Sequence, residues 1–82
     1  MVNVQLVYTK QCAYCPATKQ IFKDLKKQYK FDYEEIDAMS PEGQKMVVKY
    51  SIMSVPTIIV DNKVQWVGVP QKDKVISVIS GK

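Results

Sequence analysis

Two cysteines, Cys12 and Cys15, stand three residues apart in "QCAYCPATK", residues 11 to 19, and the chain has no other cysteine and no histidine. Thiols at this spacing can hold a metal, carry a haem, close a structural disulfide or exchange electrons. A structural zinc site needs four ligands, typically cysteine and histidine. This chain would have to add carboxylates, or two chains would have to share one site. Covalent haem attachment needs a histidine directly after the second cysteine, and residue 16 is proline. A structural disulfide between positions this close removes little chain entropy from the unfolded state and so stabilises little. Reversible dithiol–disulfide exchange is the favoured reading. Positions i and i+3 of one helical turn place their Cβ atoms ~5–6 Å apart, not far from the ~3.8 Å of a disulfide. Such a pair opens and closes with little backbone movement.

The two thiols are not expected to be equivalent. Pro16 has no N–H to bond back to the carbonyl of residue 12, so a helix can hardly extend further upstream. Cys12 is therefore expected at the helix start, where unpaired N–H groups and the dipole favour an anion. Cys15, one turn in, is expected to face the protein. Cys12 then attacks and Cys15 resolves. Lys10 and Lys19 could add positive charge nearby, although a solvated surface position is the ordinary reading of both. A more acidic thiol is ionised more fully at neutral pH, but its sulfur is a weaker nucleophile. The two effects largely cancel in the attack. The larger consequence is that a stabilised Cys12 thiolate leaves well and favours the reduced pair.

Positioning such a pair takes a strand that delivers it and a helix that receives it. Val2 to Tyr8 reads as a buried strand. Ala17, Ile21, Phe22, Leu25 and Tyr29 recur at helical spacing, with lysines opposite. Residues 31 to 37, "FDYEEID", read as a second strand through Phe31, Tyr33 and Ile36. Ser40-Pro41-Glu42 is a helix start, with serine capping, proline first and an acid on the positive end. Met46, Val47 and Tyr50 carry that helix to about Tyr50, and Gly43 should weaken it slightly. "PTIIVDNKVQWVGV" reads as a hairpin, with strands 57–60 and 64–67, the turn at 61–63 and Gly68 ending it. A last helix is expected from near Gln71 to Gly81. The order β-α-β-α-β-β-α implies a right-handed parallel crossover and an antiparallel hairpin. The expected class is α/β, a four-stranded mixed sheet with helices on both faces.

The 82 residues suit one domain, 1–82, with one core. Apolar content of 46% and charged content of 24% are ordinary for a globular chain. The first ten residues lack the features of a signal peptide, and no apolar run approaches the roughly 18 residues of a membrane span. A cytoplasmic location is expected, where thiols stay reduced and a CxxC pair is catalytic or metal-binding sooner than structural. The net charge is +4, and all twelve basic residues are lysine. Without arginine, the usual reader of phosphate and guanine, the lysines at 23 to 30 read as a solvated helix face. No nucleic acid or membrane partner is expected.

CxxC between a first strand and a helix, with "SVPT" at 54 to 57 and this element order, resembles the thioredoxin/glutaredoxin superfamily. The likeness is to its small glutaredoxin-like, archaeal-type members and spans essentially the whole chain. "YTKQCAYCP" is similar to a glutaredoxin start. The resemblance implies the thioredoxin fold, a cis Val55–Pro56 bond facing the thiols, and a Val55 backbone that pairs with the substrate chain. Val55, Pro56, Lys10 and an exposed Tyr14 are the expected substrate-binding residues. It also implies reduction of disulfide-containing proteins, with a reductase or glutathione as electron donor, no cofactor, no metal and a monomer.

The chain departs from the pattern in places. Ala13-Tyr14 replaces the usual dipeptides, Gln11 stands where thioredoxins carry tryptophan, and Leu6 where they carry a buried acid. "WVGVPQKDK" lacks the glutathione-holding turn of glutaredoxins, and resembles both thioredoxins and the redoxins that feed ribonucleotide reductase. A glutathione-dependent enzyme would use Lys10, Val55 and Asp73. Trp66 is expected to pack within the hairpin. The reading of a different class is a thiolate carrier of metal or cluster across a dimer.

Overall fold

A computed structural model describes residues 2–80. Strand β1 (Asn3–Tyr8) runs through the middle of the sheet and is buried on both faces. Val4 and Leu6 point to one face and Val7 to the other, as the two-residue period of a strand requires. Strand β2 (Asp32–Asp37) lies parallel to β1, and strand β3 (Thr57–Val60) antiparallel on its other side. Strand β4 (Lys63–Val67) completes the order β2-β1-β3-β4.

Helices α1 (Cys15–Lys26) and α3 (Lys72–Ile79) supply Phe22, Leu25, Val75 and Ile79 to the core on the Val4 and Leu6 face. Helix α2 (Pro41–Lys49) covers the other face, where Met46 meets Val7, Ile36, Ala38 and Ile59. The mixed sheet with helices on both faces is the expected architecture.

Several details differ from the sequence expectation. The buried stripe of α1 is Cys15, Thr18, Phe22 and Leu25; Ala17 is exposed. Thr18 is tolerated inside because its hydroxyl donates to the Tyr14 carbonyl at 3.1 Å. The helix ends at Lys26 rather than at Tyr29, its last turn tightened by bonds from Lys27 and Gln28 back three residues. Tyr29 still packs on the core. In β2, Ile36 faces α2, opposite Phe31 and Tyr33, so the strand serves both cores. Tyr33 stacks on Phe22 with centroids 5.3 Å apart and donates to Glu35 at 2.8 Å. Burial first, then Glu35, pushes its phenol well above the ordinary tyrosine range, so it is a neutral donor.

The hairpin turn holds two residues, not three. Asp61 and Asn62 have φ of 49° and 67°, and Lys63 already pairs with Val60. The Asp61 carboxylate accepts the Asn3 N–H at 3.0 Å, which ties the turn to the start of β1. A bulge between Ile58 and Ile59 brings Trp66 opposite Ile58, and Trp66 packs half-buried on the core as expected. Helix α3 is capped at Ser80; the expected end at Gly81 lies outside the described residues.

Ser40 caps α2 as expected, its hydroxyl accepting the Gly43 N–H at 2.9 Å and donating to the Asp37 carbonyl at 2.6 Å. Ser40→Ala should cost about 1 kcal/mol, read as a lower urea midpoint with an unchanged slope. An unchanged midpoint would show the cap to be idle.

Candidate active site

The strand register gathers the candidate residues at one end of the sheet. Val7 pairs with Thr57, and Thr57 with Val67. The loop after β1, the segment before β3 and the segment after β4 therefore share that end. The first carries Cys12, the second Val55 and Pro56, the third Gly68.

Cys12 and Cys15 are joined as a disulfide with Cα atoms 5.4 Å apart, inside the ordinary range for such a bond. Cys15 is the first residue of α1 and only 2% exposed. Cys12 is half-buried and precedes the helix cap, which corrects the expected placement within the first turn. The cap is Tyr14, and the first intrahelical bond runs from Thr18 N–H to the Tyr14 carbonyl at 3.2 Å. Pro16 in the first turn permits this start. Cys12 is instead held by its own N–H, which donates to the Thr9 carbonyl at 3.3 Å. It still stands at the amino end of α1, the end where a helix leaves N–H groups unpaired and favours negative charge.

Val55–Pro56 is cis. Pro56 is buried; the Val55 side chain is half-buried against the α2-side core. Among the described residues the Val55 backbone N–H and carbonyl have no protein partner. The Pro56 carbonyl accepts the Gly68 N–H at 2.7 Å, and Gly68 has φ of 90°, a conformation that suits only glycine. Thr57 fixes the preceding turn through its hydroxyl, which donates to the Ser54 carbonyl at 2.6 Å.

Tyr14 is 67% exposed at the mouth of the site, as expected. Lys10 is exposed and lines a cleft of about 370 Å³ with Thr9, Gln11, Asp37 and Met39. Asp73 is exposed in the first turn of α3. Leu6, where the family pattern has an acid, is fully buried in the core.

Two features were not foreseen. Asp37 closes β2 in register with Tyr8 and borders the Lys10 cleft; parallel pairing of two strands of known ends would have predicted it. Lys19, read as a solvated lysine, is half-buried with its ammonium 3.6 Å from the centroid of the Tyr8 ring. No local sequence signal announces that contact. Among the described residues no group of three or more His, Cys, Asp or Glu could hold a metal ion. Among them also, no helix is long and apolar enough to cross a membrane.

The family model described as "Thioredoxin domain" matches residues 2–80. The chain belongs to the thioredoxin domain family. A protein named "Probable Thioredoxin" in Methanothermobacter thermautotrophicus is 29% identical, covering 98% of this chain and 94% of its own. The "Thioredoxin" of Methanocaldococcus jannaschii is 29% identical, covering 95% and 92%. Among solved structures, thioredoxin-2 of the malaria parasite matches with a TM-score of 0.83 at 24% identity, covering 100% of this chain and 84% of its own. A mutant thioredoxin from Halobacterium salinarum matches with a TM-score of 0.80 at 23% identity, covering 98% and 73%. These structural likenesses bear on the fold. With the family and the joined Cys12–Cys15 pair, the protein is a thiol–disulfide oxidoreductase. Thioredoxin-family enzymes act on disulfide-containing proteins and are re-reduced by a reductase.

Proposed function

We propose that this chain works as a single-domain, monomeric cytoplasmic protein-disulfide reductase in which Cys12 attacks and Cys15 resolves. The observation that supports these roles is the burial difference: Cys12 is half-buried in a loop, whereas Cys15 is 2% exposed. A substrate sulfur can approach Cys12, and only a partner already bonded to Cys12 can meet Cys15.

In the reduced enzyme the Cys12 thiolate attacks one sulfur of a substrate disulfide. The other substrate sulfur leaves as thiolate. Cys15 loses its proton and attacks the Cys12 sulfur, closing the disulfide and releasing the second substrate thiolate. Two electrons have passed from the pair to the substrate. The free Val55 backbone pairs with the substrate chain as an added strand, Pro56 sets the direction of that strand, and Tyr14 and Lys10 contact the substrate from the other side. Electrons return from a separate reductase, with glutathione as the other candidate donor. The glutathione-dependent and ribonucleotide-reductase-feeding readings, and the metal carrier across a dimer, are not favoured by the thioredoxin relatives.

Limited alkylation of the reduced protein tests the assignment of roles. Substoichiometric iodoacetamide at neutral pH should label Cys12 about ten-fold faster than Cys15, as read by peptide mapping. Equal labelling, or Cys15 labelled first, would overturn the assignment.

A further inference from the structure

Of the three lysines in α1, Lys23 and Lys26 are exposed, and Lys19 is half-buried on Tyr8. The backbone that carries the Tyr8 ring is held in the sheet. Tyr8 closes β1, and its carbonyl accepts the Ala38 N–H at 2.7 Å. The next residue, Thr9, accepts the Cys12 N–H. A cation over an aromatic face within ~6 Å is attracted by the ring, the more so where water is partly excluded. The contact therefore anchors the ammonium near the strand end from which the CxxC loop departs.

Lys19 also stands four residues after Cys15. Positions i and i+4 share a helix face, with Cβ atoms ~5–6 Å apart, and helical side chains lean toward the amino end. The lysine is thus directed back along the face that holds Cys15. Cys15 has a problem that such a cation solves. It is 2% exposed, and burial disfavours the thiolate it must become in the resolving step. The β1 core residue Leu6 offers neither charge nor proton acceptor. Other charged groups at this end include Lys10, exposed in the loop, Asp37, the register partner of Tyr8, whose carboxylate accepts the Met39 N–H at 2.8 Å, and Lys72 and Asp73, exposed in the first turn of α3.

We propose that Lys19, anchored on Tyr8, is a positioning residue for the second half-reaction, its charge stabilising the thiolate that forms on Cys15. The inference rests on Cys15 being the resolving thiol. In the step concerned, Cys15 gives its proton to water and its sulfur attacks Cys12. The Cys12–Cys15 bond forms as the Cys12–substrate bond breaks, and the substrate sulfur leaves with the electron pair and is protonated by solvent.

The two half-reactions can be timed separately by acid quench and mass analysis, with a disulfide-bonded peptide as probe. Lys19→Met should slow resolution about ten-fold at pH 7 and move its pH profile to higher pH. Attack, measured in a Cys15→Ser background with and without Lys19→Met, should change by less than about two-fold. Lys19→Arg should restore resolution, because a guanidinium keeps the charge and stacks on aromatic faces. If Lys19→Met does not fold, Lys19→Gln and Tyr8→Leu carry the same expectation. Resolution at the wild-type rate with an unshifted pH profile overturns the role of Lys19. A wild-type protein that forms no mixed disulfide at Cys12 overturns the assignment of the thiols first, and this inference with it.

Discussion

Cys15→Ser is expected to turn the enzyme into a trap. With the resolving thiol gone, a substrate disulfide attacked by Cys12 has no intramolecular exit, and the mixed disulfide should accumulate as a covalent adduct. Cys12→Ser should do the opposite. It leaves a single thiol at 2% exposure, so neither adduct nor turnover should appear, and insulin reduction should fall by roughly 10³-fold or more. The asymmetry is the informative part, because two mutants that each lose one sulfur of one disulfide would otherwise look alike. Non-reducing gels and intact-mass analysis read the adduct directly, and addition of dithiothreitol should release it. An adduct on Cys12→Ser and none on Cys15→Ser would reverse the two roles. Turnover surviving in Cys12→Ser would remove the exchange mechanism itself.

The parts of this molecule that were legible in the sequence are those whose cause is local. Ser40-Pro41 announced a helix start because a capping hydroxyl and a residue without an N–H act within one turn, and both are where expected. The hairpin was legible because Asn62 accepts a left-handed backbone; that Asp61 shares it, and shortens the turn to two residues, follows from strand pairing. Cys12 and Cys15 were legible as a pair from spacing alone, and the fold then placed them at one sheet end with Pro56. The start of α1 was misplaced by a few residues. Proline permits a first turn without deciding which residue begins it, and here Tyr14, not Cys12, is the cap.

What stayed hidden was tertiary. Ala17 and Thr18 are neighbours of opposite polarity, and periodicity chose the apolar one. The helix phase set by burying Cys15, Phe22 and Leu25 carries Thr18 inward, where its hydroxyl is satisfied by the Tyr14 carbonyl. The Lys19–Tyr8 contact joins a helix to the strand that precedes it; the sequence offered Lys19 as a charge near the thiols, but nothing local marked Tyr8 as its partner. The cis bond at Pro56 was inferred from the family likeness alone, since any X–Pro bond is trans by default.

Gly43 is the sharpest case of the same kind, and it carries the largest expected effect on stability. Read locally, a glycine inside a helix is a weakness, and alanine should improve it by up to about 1 kcal/mol. In the fold, an added Cβ would lie 2.7 Å from the Ala38 Cα and closer still to the Asp37 carbonyl oxygen. Neither atom belongs to a side chain that can rotate away. The Asp37 carbonyl is also held by the Ser40 N–H at 3.0 Å and the Ser40 hydroxyl, so retreat of the oxygen would break the cap of α2. Gly43→Ala should therefore cost about 3 kcal/mol or more, which for a domain of this size lowers Tm by roughly 12 °C or more. Gln44→Ala, one residue on and exposed, should be close to neutral, which separates crowding from helix propensity. The damage should also reach the chemistry, since Asp37 is the register partner of Tyr8 and borders the Lys10 cleft. The surviving folded fraction should reduce disulfides more slowly than wild type at 25 °C. A Gly43→Ala protein as stable as wild type would mean that α2 does not approach the end of β2 closely.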